Sequence, residues 1–352
     1  MVEPKYNLRA MEPSDGPAVT RLITEFDGDL VTRFLVDPYQ AICFGTEFQT
    51  LGVVVECEGL DGLAGMGTVR FGEVQLNGER YPFAFLDGLK VKSEFRGHGL
   101  GYRIAQWRIQ KAREAYGDRC VLATGMLYDN YASHAVAAKW CREFAESALH
   151  ILVLPVRASP PNLPSGITVR EVEPQEYEEF ANRQNRFYKD YHLYTPGSVD
   201  SIVNALDVSV EGRKPYHYIA ALDKEGNLLA GAQTWARGML KSDTINQPPA
   251  PLRVMNSVLH LLPPDFIIRD IAVNGLWYEQ DQRNAAKFLW ESIRWECRDQ
   301  GTTITAGFDP RDPARLAVTL RPWHQPRPQI TLAIHGPEPM DRSRYFFNIG
   351  RV

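Results

Sequence analysis

The sequence lacks several features that would have placed it in a class at once. Its five cysteines show neither paired metal-ligand spacing nor a Cys-x-x-Cys redox motif. The formal net charge of −4 argues against a general nucleic-acid binder. No segment approaches the length of a membrane span, and the amino terminus has no apolar run. We therefore expect no metal, nucleic acid or membrane partner, reduced and mostly buried cysteines, and a cytoplasmic protein.

The length and composition indicate two packed domains. A chain of 352 residues is long for one core, and 44% hydrophobic with 23% charged residues is the composition of an ordinary globular protein. The segment 158–166 is rich in proline and small polar residues and can continue neither a strand nor a helix. It predicts a linker between domains at 1–157 and 167–352.

A short internal repeat supports this division. The segment Val169-Arg-Glu-Val-Glu-Pro174 repeats the character of Leu8-Arg-Ala-Met-Glu-Pro13, at an offset of 169 − 8 = 161 residues. Later strand and helix patterns of the second half follow those of the first in the same order. The chain is predicted to start the same fold twice.

The most informative stretch of the first half is a strand followed by glycines and a helix. Residues 83–91 alternate β-forming side chains, and residues 102–114 carry apolar side chains near helical spacing. Between them, Gly97, Gly99 and Gly101 let the backbone N–H groups at a helix start converge on an anion such as a pyrophosphate. A dinucleotide fingerprint would need glycine at Tyr102, and a nucleoside-triphosphate loop would need a Gly-Lys-Ser/Thr ending.

This segment resembles the acyl-CoA-binding motif of the GNAT superfamily of N-acyltransferases, Arg/Gln-x-x-Gly-x-Gly/Ala. Arg96, Gly99 and Gly101 match the motif in order, and the preceding strand and following helix supply its context. The alternative is a tight turn that uses glycine only to join strand and helix. The resemblance implies an α/β (α+β) fold, namely two tandem GNAT folds, each a mixed, mostly antiparallel sheet flanked by helices.

The resemblance also implies where acyl-CoA binds. In the family the strands on either side of the glycine junction splay apart, and the pantetheine arm lies between them. Asn130 matches an asparagine that reaches the arm from the last helix, although a plain helix cap is the alternative. The cofactor-binding residues implied in this way are Leu89, Lys90, Val91, Arg96, Gly97, His98, Gly99, Leu100, Gly101 and Asn130.

The region between the first two strands covers the acceptor pocket in the family. Here it holds Asp27, Asp29 and Asp37 beside Phe26, Phe34 and Tyr39. By resemblance these acids and aromatics receive a cationic amine, and the alternative is a solvated helix face.

The second half is expected to be a GNAT-like domain that has lost its cofactor site. No glycine triplet follows Val273, and Glu279 and Asp281 stand about where the anion-binding amides would be. Those carboxylates would repel a pyrophosphate. The implied role is to pack on the first domain and form a wall of its acceptor cleft, and the alternative is a separate ligand pocket.

The function implied by the resemblance is an acetyl-CoA-dependent N-acetyltransferase that acts on a primary amine of a small molecule by direct attack. Asp87, on the strand beside the thioester, is the candidate base. The family often places a tyrosine acid where this chain has Ala137, so Tyr128, Tyr131 and His134 are the local substitutes. The alternative function is a non-catalytic CoA-dependent sensor, and the protein is a monomer or a homodimer.

Overall fold

The computed structural model describes residues 5–26, 30–44, 49–162, 166–259, 262–320, 328–341, 343–346 and 348. The first half contains these elements in chain order: β1 (Tyr6–Ala10), α1 (Gly16–Phe26), β2 (Leu30–Phe34), α2 (Pro38–Cys43), β3 (Gln49–Cys57), β4 (Gly65–Leu76), β5 (Glu79–Val91), α3 (Leu100–Tyr116), β6 (Val121–Leu127), α4 (Tyr131–Ala137) and β7 (Glu143–Pro155).

The second half repeats this order with additions. Its elements are β8 (Thr168–Glu171), α5 (Tyr177–Phe187), β9 (Tyr191–His192), α6 (Val199–Asp207), β10 (Tyr216–Leu222), β11 (Leu228–Trp235), β12 (Lys241–Ile245), α7 (Ala250–Leu259), β13 (Ile267–Ile268), β14 (Asp270–Tyr278), α8 (Arg283–Glu296), β15 (Thr303–Phe308), β16 (Gln329–His335) and β17 (Arg344–Tyr345). The predicted α/β (α+β) class is confirmed, with a large, mostly antiparallel sheet flanked by helices.

The short sequence repeat forms the same local structure twice. Arg9 on β1 forms two hydrogen bonds of 2.7–2.8 Å with Asp15, in the turn that opens α1. Arg170 on β8 forms two bonds of 2.7 Å with Glu176, in the turn before α5. Asp15 and Glu176 are also 161 residues apart, so the repeat includes an ion pair that ties each first strand to its first helix.

One sheet of twelve strands runs through both halves, in the order β1-β3-β4-β5-β6-β16-β7-β15-β14-β11-β10-β8. The pairs β5–β6 and β14–β15 are parallel, and the other neighbours are antiparallel. By its position in the repeat, β16 of the second half corresponds to β7 of the first half. Each of the two lies beside a strand of the other half, because β16 pairs with β6 of the first half and β7 pairs with β15 of the second.

This exchange of closing strands joins the two halves more closely than a linker alone would. The central strand β16 buries Leu332 and Ala333 completely between β6 and β7. The described parts of the predicted linker, 158–162 and 166, form no helix or strand. The division into domains at 1–157 and 167–352 stays a prediction, while the sheet and the main core cluster are shared.

A second, smaller sheet also crosses between the halves. Its order is β13-β12-β2, and β2 of the first half pairs antiparallel with β12 from Leu30↔Ile245 to Phe34↔Lys241. The strand between α1 and α2 is therefore hydrogen-bonded to the second half. This sheet brings side chains of β12 against the central strand of the first half.

Candidate acyl-CoA and acceptor site

The site is organised around an irregularity in β5. The β4–β5 pairing shifts register between Met66↔Lys90 and Thr68↔Asp87, which leaves Gly88 and Leu89 as a bulge. Gly88 has a φ of +61°, a conformation that glycine adopts without the strain that a Cβ would bring. The bulge turns the end of β5 away from its neighbour.

Beyond the bulge β5 and β6 separate. Their parallel pairing covers only Phe83↔Val121, Ala84↔Leu122 and Phe85↔Ala123. At the next position the Thr124 hydroxyl donates to the Leu86 carbonyl oxygen at 2.6 Å, in place of a backbone donor from β6. The predicted splay between the strands on either side of the glycine junction is therefore present in the structure.

A groove with a volume of about 330 Å³ opens at this splay. Its walls are the end of β5, the end of β6 and the facing side of α4, with the buried Arg108 below. The predicted residues Leu89, Lys90 and Asn130 line it, together with Leu86, Asp87, Gly88, Thr124, Gly125, Met126, Leu127, Ser133, Val136, Ala137, Trp140 and Ile330. A polar strand edge between apolar side chains suits an extended amide-containing chain.

The predicted anion loop lies at the start of α3. Gly97 and Gly99 have φ values of +84° and +74°, and a Cβ on either would meet no atom within 4 Å. Gly99 caps α3, and the helical hydrogen bonds begin with Tyr102 N–H to the Gly99 carbonyl at 3.1 Å. The amides of residues 97–101 precede that bond, so they are available to an anion at the positive end of a 17-residue helix.

The other loop residues are placed around these amides. Arg96 is exposed, and its Nε donates to the Val91 carbonyl at 3.1 Å, while Val91 itself pairs with Gly65 on β4. His98 is exposed and Leu100 is buried under the loop. Gly101 packs against α4, where its Cβ would lie 3.3 Å from Val136. A small residue there keeps α3 and α4 close.

The two readings of Asn130 are both compatible with its position. Its side-chain oxygen accepts the Ser133 N–H at 3.1 Å, which makes it the cap of α4, and the residue also lines the groove.

The two tyrosines predicted to act in catalysis lie outside the groove lining. Tyr128 is 57% exposed and Tyr131 is 80% exposed, and neither lines the groove. His134 stacks on Phe144 outside the groove lining. Their catalytic roles stay predictions.

Asp87 stands at the bulge with a defined set of contacts. Its Oδ1 accepts the Gly88 N–H at 2.7 Å, and its Oδ2 lies 3.6 Å from the Arg70 guanidinium. Its carbonyl oxygen accepts from Arg108 at 2.9 Å, and Arg108 also donates to the Thr68 carbonyl. Arg108 is 3% exposed, and burial lowers its pKa to about 10. This arginine fixes both strands at the bulge.

A second cavity meets the groove at Asp87. It has a volume of about 220 Å³ and lies between the two halves. Asp87, Gly88 and Lys90 line both the groove and the cavity. The remaining wall of the cavity is formed by Ile23, Thr32, Phe34, Ala41, Ile42, Met66, Thr68 and Arg70 of the first half and by Trp235, Arg237, Leu240 and Lys241 of the second.

Of the three acids expected to receive the acceptor, the structure describes one. Asp27 and Asp29 lie outside the described residues, and Asp37 caps α2 by accepting the Gln40 N–H at 3.0 Å. Phe34 lines the cavity, whereas Tyr39 packs in the neighbouring core. Among the described residues the cavity lining contains one carboxylate, Asp87, and four cations.

The cations belong to a charge cluster that spans both halves. Arg237 lies 3.7 Å from Asp270, and Lys241 lies 4.0 Å from Asp243, which also accepts from Thr32 at 2.6 Å. Burial lowers the pKa of Lys241, and the positive charge of Arg237 acts in the same direction. Burial raises the pKa of Asp270, against the opposing effect of Arg237. The neutral forms of both groups are favoured relative to water.

The second half keeps the bulge but fills the site. The β11–β14 register shifts between Gly231↔Trp277 and Gln233↔Asn274, and Gly275 has a φ of +59°. The Gly275 carbonyl accepts from Gln184 at 3.3 Å, and the Leu276 carbonyl accepts from the Tyr188 hydroxyl at 2.6 Å.

Paired side chains also occupy the position after the second bulge. Glu279 pairs with Arg183 at 3.0 Å, and Tyr278 reaches across to the Pro313 carbonyl at 3.1 Å. Asp281 follows with a φ of +63° in the turn before α8. The described residues thus place side chains and carboxylates where the first half has a groove and free amides.

Two further expectations concern cysteines and membranes. Cys57, Cys120 and Cys297 are buried and Cys43 and Cys141 are partly buried, all as free thiols. Burial raises the pKa of Cys120 and Cys297 to about 12, which makes them poor nucleophiles. Within the described ranges no helix is long and apolar enough to cross a membrane, and no group of three metal-ligating side chains is present.

Residues 21–141 match the sequence profile of the acetyltransferase (GNAT) family. This segment of the first half is similar to a GNAT domain. No curated protein is significantly similar to the whole chain in sequence. The matched segment includes the bulge, the glycine loop and α4, so the acyl-CoA-dependent acyltransferase chemistry of the family applies to this half. Acetyl specificity does not follow from the match.

Solved structures share the fold over nearly the whole chain. The N-myristoyltransferase of Saccharomyces cerevisiae with bound myristoyl-CoA has a TM-score of 0.60 at 8% identity, over 98% of this chain and 80% of that one. A GCN5-related N-acetyltransferase from Sphaerobacter thermophilus has a TM-score of 0.55 at 14% identity, over 96% of this chain and 97% of that one. At these identities the similarity establishes the GNAT fold alone.

Several residues of the site carried no signal in the sequence. Arg70, Arg108 and Thr124 sit on strands or a helix whose pattern indicated only regular structure. Arg237 and Lys241 lie more than 145 residues after Asp87 in the chain, and only the β2–β12 pairing brings them to the cavity. For Arg108 the one hint is that a charged residue occupies a helix position that otherwise faces the core.

Proposed function

We propose that the protein transfers an acetyl group from acetyl-CoA to a primary amine of a small molecule, by direct attack of the amine on the thioester. The observation that carries the proposal is the junction of groove and cavity at Asp87, Gly88 and Lys90. A donor lying in the groove and an acceptor lying in the cavity would meet at this carboxylate. Holding the two reactants at one point supplies much of the rate enhancement of such a transfer.

The residues present fit an acyl-CoA. The splayed edge of β5 offers backbone groups at Leu89 to an extended amide chain, since this residue has no partner in the β4 register. The amides of residues 97–101 and the positive end of α3 suit a pyrophosphate. The cofactor-binding set predicted from the sequence is retained in this proposal.

The acyl-CoA supplies an activated carbonyl and a thiolate leaving group. Asp87 is the proposed base, because it is the single carboxylate among the described residues that line the groove and cavity. It accepts the proton of the attacking amine directly or through one water. The Gly88 N–H and the Arg70 guanidinium orient it for this role. In this proposal the backbone N–H of Leu89, a residue with no partner in the β4 register, stabilises the oxyanion.

Thiol release from acetyl-CoA with a panel of small amines tests the proposal. We expect amine-dependent release and an N-acetylated product detectable by mass spectrometry. Calorimetry with CoA serves as the parallel measurement. Binding of CoA without turnover on any amine would favour a CoA-dependent sensor, and absence of both would remove the site assignment.

A further inference from the structure

The groove for the acyl donor has an open end and a closed end. At the open end β5 leads from Lys90 toward the glycine loop, where the pyrophosphate of an acyl-CoA belongs. The closed end lies where the Thr124 hydroxyl donates to the Leu86 carbonyl oxygen, next to the last paired positions of β5 and β6. In an acyl-CoA the pyrophosphate and the acyl group stand at opposite ends of the pantetheine arm. With the pyrophosphate on the loop, the acyl group points toward the closed end.

Trp140 forms part of the wall at this closed end. It lines the groove and packs against two core clusters, one that contains Leu86 and one that contains Met126 and Ala137. Its backbone is held on both sides. The Trp140 N–H donates to the Ala137 carbonyl at 3.0 Å, and its own carbonyl accepts from the His335 ring at 3.0 Å. The largest of the natural side chains is thus fixed beside the point where the two strands meet.

A larger cavity adjoins the groove at Trp140. This α3 cavity has a volume of about 670 Å³ and is formed by one face of α3 from Tyr102 to Glu114, by β6 and by the segment after α4. Ile109 and Leu122 give it apolar surface and belong to the same core cluster on which Trp140 packs. Among the described residues, Trp140 is the one that lines both the groove and the α3 cavity. Its side chain therefore stands between the donor groove and further space.

We propose that Trp140 sets the length of the acyl group, so that acetyl and propionyl groups fit the closed end of the groove and longer chains meet the indole. This inference rests on the proposed function and names its donor class, the short-chain acyl-CoAs. A longer chain needs the space that Trp140 fills, and forcing extra methylenes into a packed site displaces side chains from their preferred rotamers. Without the indole, the chain could continue over Leu122 and Ile109 into the α3 cavity.

A series of acyl donors tests the inference, because its members share CoA and differ only in the chain. The series is acetyl-, butyryl-, hexanoyl- and octanoyl-CoA, each measured with the same amine acceptor. We expect kcat/KM of the natural protein to fall about tenfold or more from acetyl- to hexanoyl-CoA, since methylenes that a pocket cannot hold are strongly discriminated against. A kcat/KM that stays level or rises along the series overturns the proposed limit.

Substitutions of Trp140 locate the limit. Trp140→Ala and the milder Trp140→Leu should raise kcat/KM for hexanoyl-CoA about tenfold or more over the natural protein, whereas Trp140→Phe, which keeps a ring, should retain the preference for acetyl-CoA. Circular dichroism checks that each variant is folded. Trp295→Ala is the control, because Trp295 is a partly buried tryptophan of α8 that lines neither the groove nor the α3 cavity. A gain with hexanoyl-CoA in the control as well, or in no variant, overturns the inference.

Calorimetry of the full chain with the same acyl-CoAs separates the inference from the proposed function, because binding needs no acceptor. If no amine is acylated, but hexanoyl-CoA binds more weakly than acetyl-CoA and Trp140→Ala removes the difference, the length limit is supported and the enzymatic function is not. Turnover of amines with a chain-length dependence that the Trp140 variants leave unchanged overturns the limit and leaves the acetyltransferase standing. Absence of both acyl-CoA binding and turnover overturns both proposals.

Discussion

The two bulges at Gly88 and Gly275 show how one backbone feature supports a site in one half and packing in the other. Their φ values are +61° and +59°, and each follows the same kind of register shift against the preceding strand. In the first half the bulge faces a groove with free amides beyond it. In the second half Gln184 and Tyr188 bind the bulge carbonyls.

The residues beside the bulges explain the difference. Asp87 precedes the first glycine and Asn274 precedes the second, so the ionisable group is present in one half only. Lys90 of β5 and Trp277 of β14 occupy the same position relative to the two register shifts. Trp277 is fully buried and packs against Phe180. The same backbone bulge therefore occurs in both halves, while the side chains around it differ.

The largest expected effect comes from removing the exchanged strand. Truncation after Leu320 deletes β16 and so exposes the edges of β6 and β7. It also removes the buried side chains of Leu332 and Ala333 from between these strands. We expect an insoluble or aggregated chain in size-exclusion chromatography. A truncation after Phe346 removes no strand and is the control. A soluble, monodisperse product of the shorter chain would show that each half closes its own sheet.

Gly99→Asp should abolish detectable acyl-CoA binding by the first half. It adds strain at a φ of +74° and a negative charge beside the anion-binding amides. Calorimetry measures the loss, and circular dichroism checks that the fold persists. Gly226→Asp is the matched control, because Gly226 has a φ of +86° and open space around it in a turn of the second half. Equal CoA affinity in both variants would contradict the loop assignment.

Asp87→Asn makes the first bulge resemble the second. An amide oxygen can still accept the Gly88 N–H, but the side chain can no longer take a proton. We expect kcat to fall about 10²- to 10⁴-fold while CoA affinity is retained. Asp37→Asn, an equally good helix cap on the nearby α2, should leave kcat unchanged. Full activity of Asp87→Asn would move the base to another group.

Tyr188→Phe should have the smallest effect and tests the filled second half. It removes one buried hydrogen bond, to the Leu276 carbonyl at 2.6 Å, and should lower the free energy of unfolding by about 1–3 kcal/mol. CoA stoichiometry should remain one per chain, since the turn after β14 still carries Glu279 and Asp281. A second CoA site in calorimetry, in this variant or in the natural protein, would show that the second half is not degenerate.

Local patterns made much of this architecture predictable. The Asn77-Gly78 pair, a sequence typical of tight hairpin turns, joins β4 and β5 with φ values of +50° and +81°. The glycine junction leads into α3 as expected. The repeat at an offset of 161 residues marks equivalent first strands in both halves. These features depend on residues close together in the chain, where steric preference and hydrogen bonding act independently of the rest of the fold.

Local patterns could not predict how the residues of the candidate site are divided between the two halves. The sequence by itself predicted the GNAT fold, an anion loop at residues 96–101 and the absence of a matching glycine triplet after Val273. Only the tertiary structure decided that β7 and β16 exchange places, and that β12 pairs with β2 to bring Arg237 and Lys241 to Asp87. The physical reason is that strand partners and charge clusters of this kind join residues far apart in the chain, which no local pattern encodes.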